Sequence, residues 1–306
     1  MSKVMLVAVL LPLAVVVASA QFTEWSPPVN LGAPINDPAY DDSCLTLSKD
    51  GLSLIYSANR PTGVGGADLW VSTRATVNDP WGTPQLVQNV NTAFLDACPG
   101  LSPDEHRLYF NSNRPGGCGW VDIWVSRRKN RRVHTGEDGW QAPVNLGCVV
   151  NGTSHDAQAN VFEDETGTEV LYFNTWRGKD GGGWDIYMSR MGADGAFGPP
   201  TPVAELNTPF DDAMGAVRRD GLEIIFPSSR PGGLGDGDLY TAMRASTSDP
   251  WSPPVNLAVL NSWAYDGARC QFSFDGRQFY FMSKREFGNK LGDLYVATRE
   301  KLLGPR

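Results

Sequence analysis

The chain has 306 residues, with 26 Lys and Arg against 34 Asp and Glu, for a net charge of −8. Its 41% apolar content excludes a disordered chain, and the acidic balance argues against a nucleic-acid partner, which would need a basic face. With 33 Gly and 22 Pro, about one residue in six punctuates the backbone, which excludes a helical bundle and suits short strands joined by turns.

Residues 1–20 open with Lys3, run apolar from Val4 to Val17 with one break at Pro12, and end in Ala18-Ser19-Ala20 before Gln21. This is the pattern of a secretory signal peptide. The run is short for a membrane span, and no Cys follows the cleavage point, which argues against a lipoprotein. The expectation is a secreted or periplasmic protein of residues 21–306 with no membrane span. Its five cysteines are Cys44, Cys98, Cys118, Cys148 and Cys270. An exported compartment permits disulfides, and an odd number leaves at least one thiol unpaired or the pairing incomplete.

After the leader comes a Pro-containing strand, WSPPVNL (25–31), which returns as WGTPQLV (81–87), WQAPVNL (140–146), FGPPTPV (197–203) and WSPPVNL (251–257). Between these copies lies a second phrase, an Asn followed five positions later by an Asp: Asn36/Asp41, Asn91/Asp96, Asn151/Asp156, Asn207/Asp212 and Asn261/Asp266. A third follows as YSANRPTGVGGADLW (56–70), FNSNRPGGCGWVDIW (110–124), FNTWRGKDGGGWDIY (173–187), FPSSRPGGLGDGDLY (226–240) and FMSKREFGNKLGDLY (281–295). The repeat length is 54 to 60 residues.

Each unit parses into four strands. Strand A follows the Asp, as in 41–48. A tight turn such as Asp50-Gly51 leads to an apolar strand B, strand C carries Asp-Leu-Trp or a variant, and strand D is the Pro-Val-Asn-Leu type. Five small sheets that bury their faces on one another predict an all-β, five-bladed β-propeller. The strand at 25–31 has no A, B or C before it, and the last unit has no D after its C strand. The N-terminal strand therefore completes the last blade and closes the ring.

The phrases resemble the PD40, or TolB-type WD40-like, propeller repeat: Ser48-x-Asp50-Gly51, then Ser57-x-x-Arg60, then Asp68-Leu69-Trp70, with four further copies. Unit three departs most, with Asn174-Thr175-Trp176-Arg177 in place of the Ser-x-Arg spacing and Glu163-Asp164-Glu165 in place of the Asp-Gly turn. The resemblance implies the propeller fold. It leaves function open, because such repeats serve binding proteins and enzymes alike.

Five Arg/Asp pairs recur, Arg60/Asp68, Arg114/Asp122, Arg177/Asp185, Arg230/Asp238 and Arg285/Asp293, and their repetition points to bracing of the loop into strand C. The aspartates Asp41, Asp96, Asp156, Asp212 and Asp266 each open an innermost strand, so they ring one mouth of the channel. Two readings stand: ligands for a hard cation such as Ca²⁺ or for a polar ligand, or caps of their own turns, with the Asn five residues earlier. All five cysteines fall on that same face, and Cys118 with Cys148 is the expected disulfide, since both lie in loops. Tyr40, His155 and Tyr265 neighbour the Asp positions and join them as ligand-binding candidates. Loop aromatics Trp120, Trp176, Trp184 and Trp263 could stack on sugars or pack between blades. The run Arg127-Arg128-Lys129-Asn130-Arg131-Arg132 reads as a solvated loop on the opposite face, and Asn151-Gly152-Thr153 is a glycosylation sequon.

No dinucleotide, Walker, HExxH or GxSxG motif occurs. Two functions remain. One is an exported binding or scaffold propeller that recognises a protein, peptide or glycan on the Asp face. The other is a polysaccharide hydrolase or lyase. Five-bladed propeller glycosidases place acidic residues at the channel mouth, and Asp41, Asp96 and Asp156 are the resembling positions.

Overall fold

The computed structural model describes residues 21–129, 139–176, 183–285 and 291–302; the segment 1–20, expected to be a signal peptide, lies outside them. Among the described residues the regular structure is all β. Blade one is β2 (Asp42–Leu47), β3 (Ser53–Ala58), β4 (Asp68–Thr73) and β5 (Gln85–Leu86). Blade two is β6 (Asp96–Leu101), β7 (Arg107–Ser112), β8 (Asp122–Arg127) and β9 (Val144–Asn145). Blade three is β10 (Asp156–Glu163), β11 (Glu169–Thr175), β12 (Asp185–Arg190) and β13 (Thr201–Pro202). Blade four is β14 (Ala216–Val217), β15 (Glu223–Ser228), β16 (Asp238–Met243) and β17 (Val255–Asn256). Blade five is β18 (Asp266–Phe272), β19 (Gln278–Ser283), β20 (Asp293–Thr298) and, from the start of the chain, β1 (Val29–Asn30).

The ring closes as the orphan strand requires. Val29 pairs with Val296 and Asn30 with Tyr295, antiparallel. The Ser26 N–H donates to the Thr298 carbonyl at 2.7 Å and the Leu31 N–H to the Leu294 carbonyl at 3.0 Å. An ionic latch adds to the backbone pairing. Buried Glu223 accepts from Arg218 and from Arg299, the latter at 2.7 and 2.8 Å. The Arg299 guanidinium lies 3.9 Å from the Phe22 ring centre and 4.1 Å from that of Trp25, so the closing segment is held by its aromatics as well as its backbone.

The core is a set of layers between blades. Strand B is buried on both sides, and its alternating residues serve different layers. Leu54 and Tyr56 pack with Tyr280, Met282 and Leu294 of blade five, whereas Ile55 packs with Leu108 and Phe110 of blade two. The same alternation sends Phe226 toward blade three and Ile225 toward Phe279 and Phe281.

A second arginine, one residue past strand C, repeats in four blades. Nε of Arg74, Arg128, Arg244 and Arg299 donates to the carbonyl of Gly51, Glu105, Gly221 and Gly276 in the turn between strands A and B. Each guanidinium covers the tryptophan that leads into strand D, Trp81, Trp140, Trp251 or Trp25, at 4.1 to 4.4 Å. Arg128, from the basic run, is thus buried in a structural contact. In blade three both partners change together: Met191 stands where the arginine would be and bridges Phe197, which replaces the tryptophan. In a double-mutant cycle by urea denaturation, Arg244→Met and Trp251→Phe should each destabilise. The pair should cost less than the sum of the two by about 1 kcal/mol.

Candidate functional site

The connectors between blades carry the polar signature. Each repeated Asn turns its side-chain amide onto the strand C backbone of the preceding sheet. Asn91 Oδ1 accepts from the Leu69 N–H at 2.7 Å while its Nδ2 donates to the Leu69 carbonyl at 2.9 Å. Asn36, Asn151, Asn207 and Asn261 do the same to Leu294, Ile123, Ile186 and Leu239. A primary amide presents the donor and acceptor of a strand residue, so it extends a D strand only two residues long. The sequon asparagine Asn151 is one of these and is 1% exposed, so its amide is committed to the fold.

The aspartates follow. Asp96 Oδ2 accepts from the Thr92 N–H at 2.6 Å and hydroxyl at 2.7 Å, and Oδ1 binds Arg114. Asp212 repeats this with Thr208, Ser228 and Arg230, and Asp266 with Ser262, Ser283 and Arg285. Asp156 Oδ2 accepts from the Gly152 N–H at 2.5 Å, and its blade's arginine, Arg177, lies outside the described residues. In blade one the position belongs to Asp42, not Asp41. Asp42 Oδ2 accepts from the Asp37 N–H at 2.8 Å and Oδ1 from Arg60 at 3.0 Å. One extra residue in that connector shifts the register, and Asp41 instead accepts from the Gly292 N–H. These five buried carboxylates are fully shielded from solvent and turned into their own blades. They do not form the shared ligand set expected for Ca²⁺. Among the described residues, no group of three or more His, Cys, Asp or Glu side chains could hold a metal ion.

The expected pairing of arginine with strand C aspartate is also corrected in four blades; in the Arg177/Asp185 pair, Arg177 lies outside the described residues. Arg60, Arg114, Arg230 and Arg285 reach their strand A aspartate and a connector carbonyl, that of Ile35, Val90, Leu206 or Leu260. In blades one, two and four the strand C aspartate instead cups the preceding loop. Asp68 accepts from the N–H groups of Val64 and Gly65, Asp122 from Cys118 and Gly119, and Asp238 from Leu234 and Gly235. The wrap leaves no room for a side chain: a Cβ on Gly117 would sit 1.8 Å from an Asp122 oxygen.

Two disulfides lie on this face. Cys118 and Cys148 are joined with a Cα separation of 5.5 Å. Cys44 and Cys98 are joined as well, at 4.7 Å, a second bond beyond the expected one, between strands of separate blades. Both sit in β-bulges with positive φ, 40° and 53°, which lift them out of their ladders where neighbouring inner strands converge. Cys270 is buried and free of any disulfide.

The exposed feature of the face is aromatic. Trp120, in the loop between strands B and C of blade two, hydrogen-bonds through its N–H to the Ser154 carbonyl at 2.9 Å. Val121 bridges His155, and the Trp176 N–H donates to the His155 carbonyl at 2.9 Å. The backbone therefore gathers four rings. His155 lies 5.7, 5.5 and 6.1 Å from Trp120, Trp176 and Trp184, and the last two stack at 6.1 Å. Trp120 is 76% exposed and Trp176 47%. Asp211, exposed beside them, accepts the Trp184 N–H at 2.9 Å. The other nominated residues are elsewhere on the face: Trp263 is exposed, Tyr40 half-buried, and Tyr265 packs against the core layer of blades five and one. Adjacency of His155 to Asp156 was visible in the sequence. The convergence of Trp120 from the preceding blade was not.

No family model matches the chain, and no curated protein matches it. Solved structures match its shape. An α-L-arabinofuranosidase from Lactobacillus brevis is 13% identical with a TM-score of 0.59, over 90% of this chain and 95% of that one. An endo-arabinase from Bacteroides thetaiotaomicron is 17% identical at 0.57, over 93% and 100%. A thermostable family-43 glycoside hydrolase is 12% identical at 0.58, over 89% and 93%. The likeness is one of fold.

Two predictions follow from the buried pairs. Asp212→Asn should cost about 3 kcal/mol by urea denaturation, since it leaves Arg230 without its charge partner, and a chelator should leave the melting temperature of the unmodified protein unchanged. Burial pushes the Asp42 carboxyl up to about 6 against the pull of the Asp37 N–H and of Arg60. Its contribution to stability is therefore full below about pH 4 and fades as pH rises through about 6. Denaturation across that window should show a loss of about 3 kcal/mol that is missing from the slope of Asp42→Asn.

Proposed function

We propose that this protein is an exported glycan-binding propeller whose ligand lies on the patch formed by Trp120, His155, Trp176 and Trp184. The observation that carries the reading is the exposure of two tryptophans in a backbone-fixed cluster. Isolated large apolar residues are normal on a surface, but a preorganised group of aromatic faces is a binding feature. Indole faces take the apolar face of a sugar ring, and the Asp211 carboxylate and His155 imidazole beside them are of the kind that hydrogen-bonds hydroxyls. Two disulfides fit an oxidising, exported location.

Glycan cleavage is the second reading, favoured by the end-to-end likeness to arabinan- and arabinoside-cleaving structures. A glycosidase needs two carboxylates flanking the scissile bond. Asp96 has both oxygens engaged by Thr92 and Arg114, and Asp41 holds the Gly292 N–H. This geometry supports binding over cleavage. Asp211 is the carboxylate at the patch on which cleavage would depend.

The named activities of those neighbours make arabinan and arabinoxylan the first probes. Affinity electrophoresis should show retardation that Trp120→Ala and Trp176→Ala each weaken about tenfold, with Trp263→Ala as the comparison outside the cluster. A reducing-end assay on the same samples tests cleavage. Product that disappears in Asp211→Asn would establish the second reading, and absence of retardation on every glycan would sink the first.

A further inference from the structure

The turns between strands A and B surround the other mouth of the channel, opposite the aspartates. Five inner strands, contributing Thr46, Leu101, Val161, Val217 and Gln271, line a cavity of about 80 Å³ there. The second residue of the turn stands at its rim in four blades, as Lys49, Pro103, Arg219 and Phe274. In blades four, five and one, which are consecutive around the ring, these residues are Arg219, Phe274 and Lys49. The fold thus sets a phenyl ring between two cations. The Arg219 guanidinium lies 3.8 Å from the Phe274 centroid and the Lys49 ammonium 4.5 Å from it.

Neither cation takes part in an ion pair among the described residues, and the carboxylates near them have other work. Asp50 and Asp275 accept the hydroxyls of Ser48 and Ser273 within their own turns, and Asp220 pairs with Arg218. Glu105, which also lines the cavity, accepts the backbone N–H of Lys49 at 2.6 Å through one oxygen. Two positive side chains drawn to one ring repel each other, and an anion at the ring's edge, within reach of both, offsets that repulsion while gaining charge-assisted hydrogen bonds.

We propose that this rim is an oxyanion site, independent of the aromatic patch on the other face. Lys49 and Arg219 hold a carboxylate or sulfate group over the cavity, and the edge of Phe274, a side chain 40% exposed, lies against the ring or chain that carries it. The cavity admits the charged group with its waters and not a whole sugar.

Isothermal titration of the full chain with sodium sulfate, galacturonate and galactose, at ionic strength fixed by chloride, tests the site. Sulfate and galacturonate should bind saturably and galactose should not. Lys49→Gln and Arg219→Gln should each weaken binding about tenfold, and the double variant should abolish it. Phe274→Leu should reduce galacturonate affinity more than sulfate affinity, which separates the charged group from its carrier. All three side chains are substantially exposed or at the rim, and an unchanged melting temperature in the variants confirms folding. Lack of a saturable sulfate or galacturonate signal, or equal binding by the double variant, overturns the site. So does galacturonate binding that survives the double variant and is lost in Trp120→Ala.

Discussion

Everything in this ring depends on how one blade is fastened to the next, and that task falls on a connector only a few residues long. Its Asn amide is bonded to the sheet behind it, and its Asp carboxylate, with the arginine of the blade ahead, holds the backbone in front. An Asn amide alone would fix the connector to one sheet, and an Asp–Arg pair alone would leave its backbone loose. Together they turn a loop into a rigid spacer, which lets short D strands suffice. The cost of burying the carboxylate is offset by hydrogen bonds from both sides. The four described arginines, Arg60, Arg114, Arg230 and Arg285, also lie on aromatics of strands B and C, as Arg114 does 5.0 Å from Phe110 and 5.2 Å from Trp124.

That division of labour explains what the sequence could reveal. Blade number, strand order and closure were legible because they rest on phrases repeated at a nearly constant interval and on one strand without a sheet. The partners of the charged residues were not, because a repeat shows that Arg114, Asp122 and Asp96 recur together without showing which two touch. Register was least legible where spacing changed: one added residue moved the ring position from Asp41 to Asp42. The Cys44–Cys98 bond depends on bulges that periodicity does not announce. The aromatic patch was half legible, with its members nominated singly and their meeting set by the contact of blades two and three.

The two faces differ in chemistry for a reason built into the strands. On the aspartate face, the exposed aromatic side chains stand outside the layer of Asn, Asp and Arg groups that fasten the blades, so substitutions in loops can change that surface without touching the fastening. On the opposite face, turn residues are free to vary at one position each. Blade three, where Glu165 is tied to Thr247, and blades four, five and one, where Arg219, Phe274 and Lys49 gather, show that variation within one molecule.

The closure of blade five by β1 sets how the molecule yields. All five blade-to-blade passages are continuous chain, whereas blade five itself is completed by a strand from far away in sequence, through contacts such as Val29 with Val296 and Arg299 with Phe22 and Trp25. An open row of repeats can fray inward from either end, one unit at a time. A hoop has no such end. Until the clasp at blade five is released, every blade has a neighbour on both sides, so partial opening must break two interfaces and gains little chain freedom. Loss of order is thereby concentrated into one event at one clasp, and the protein is expected to behave as a single cooperative unit despite being assembled from five small ones.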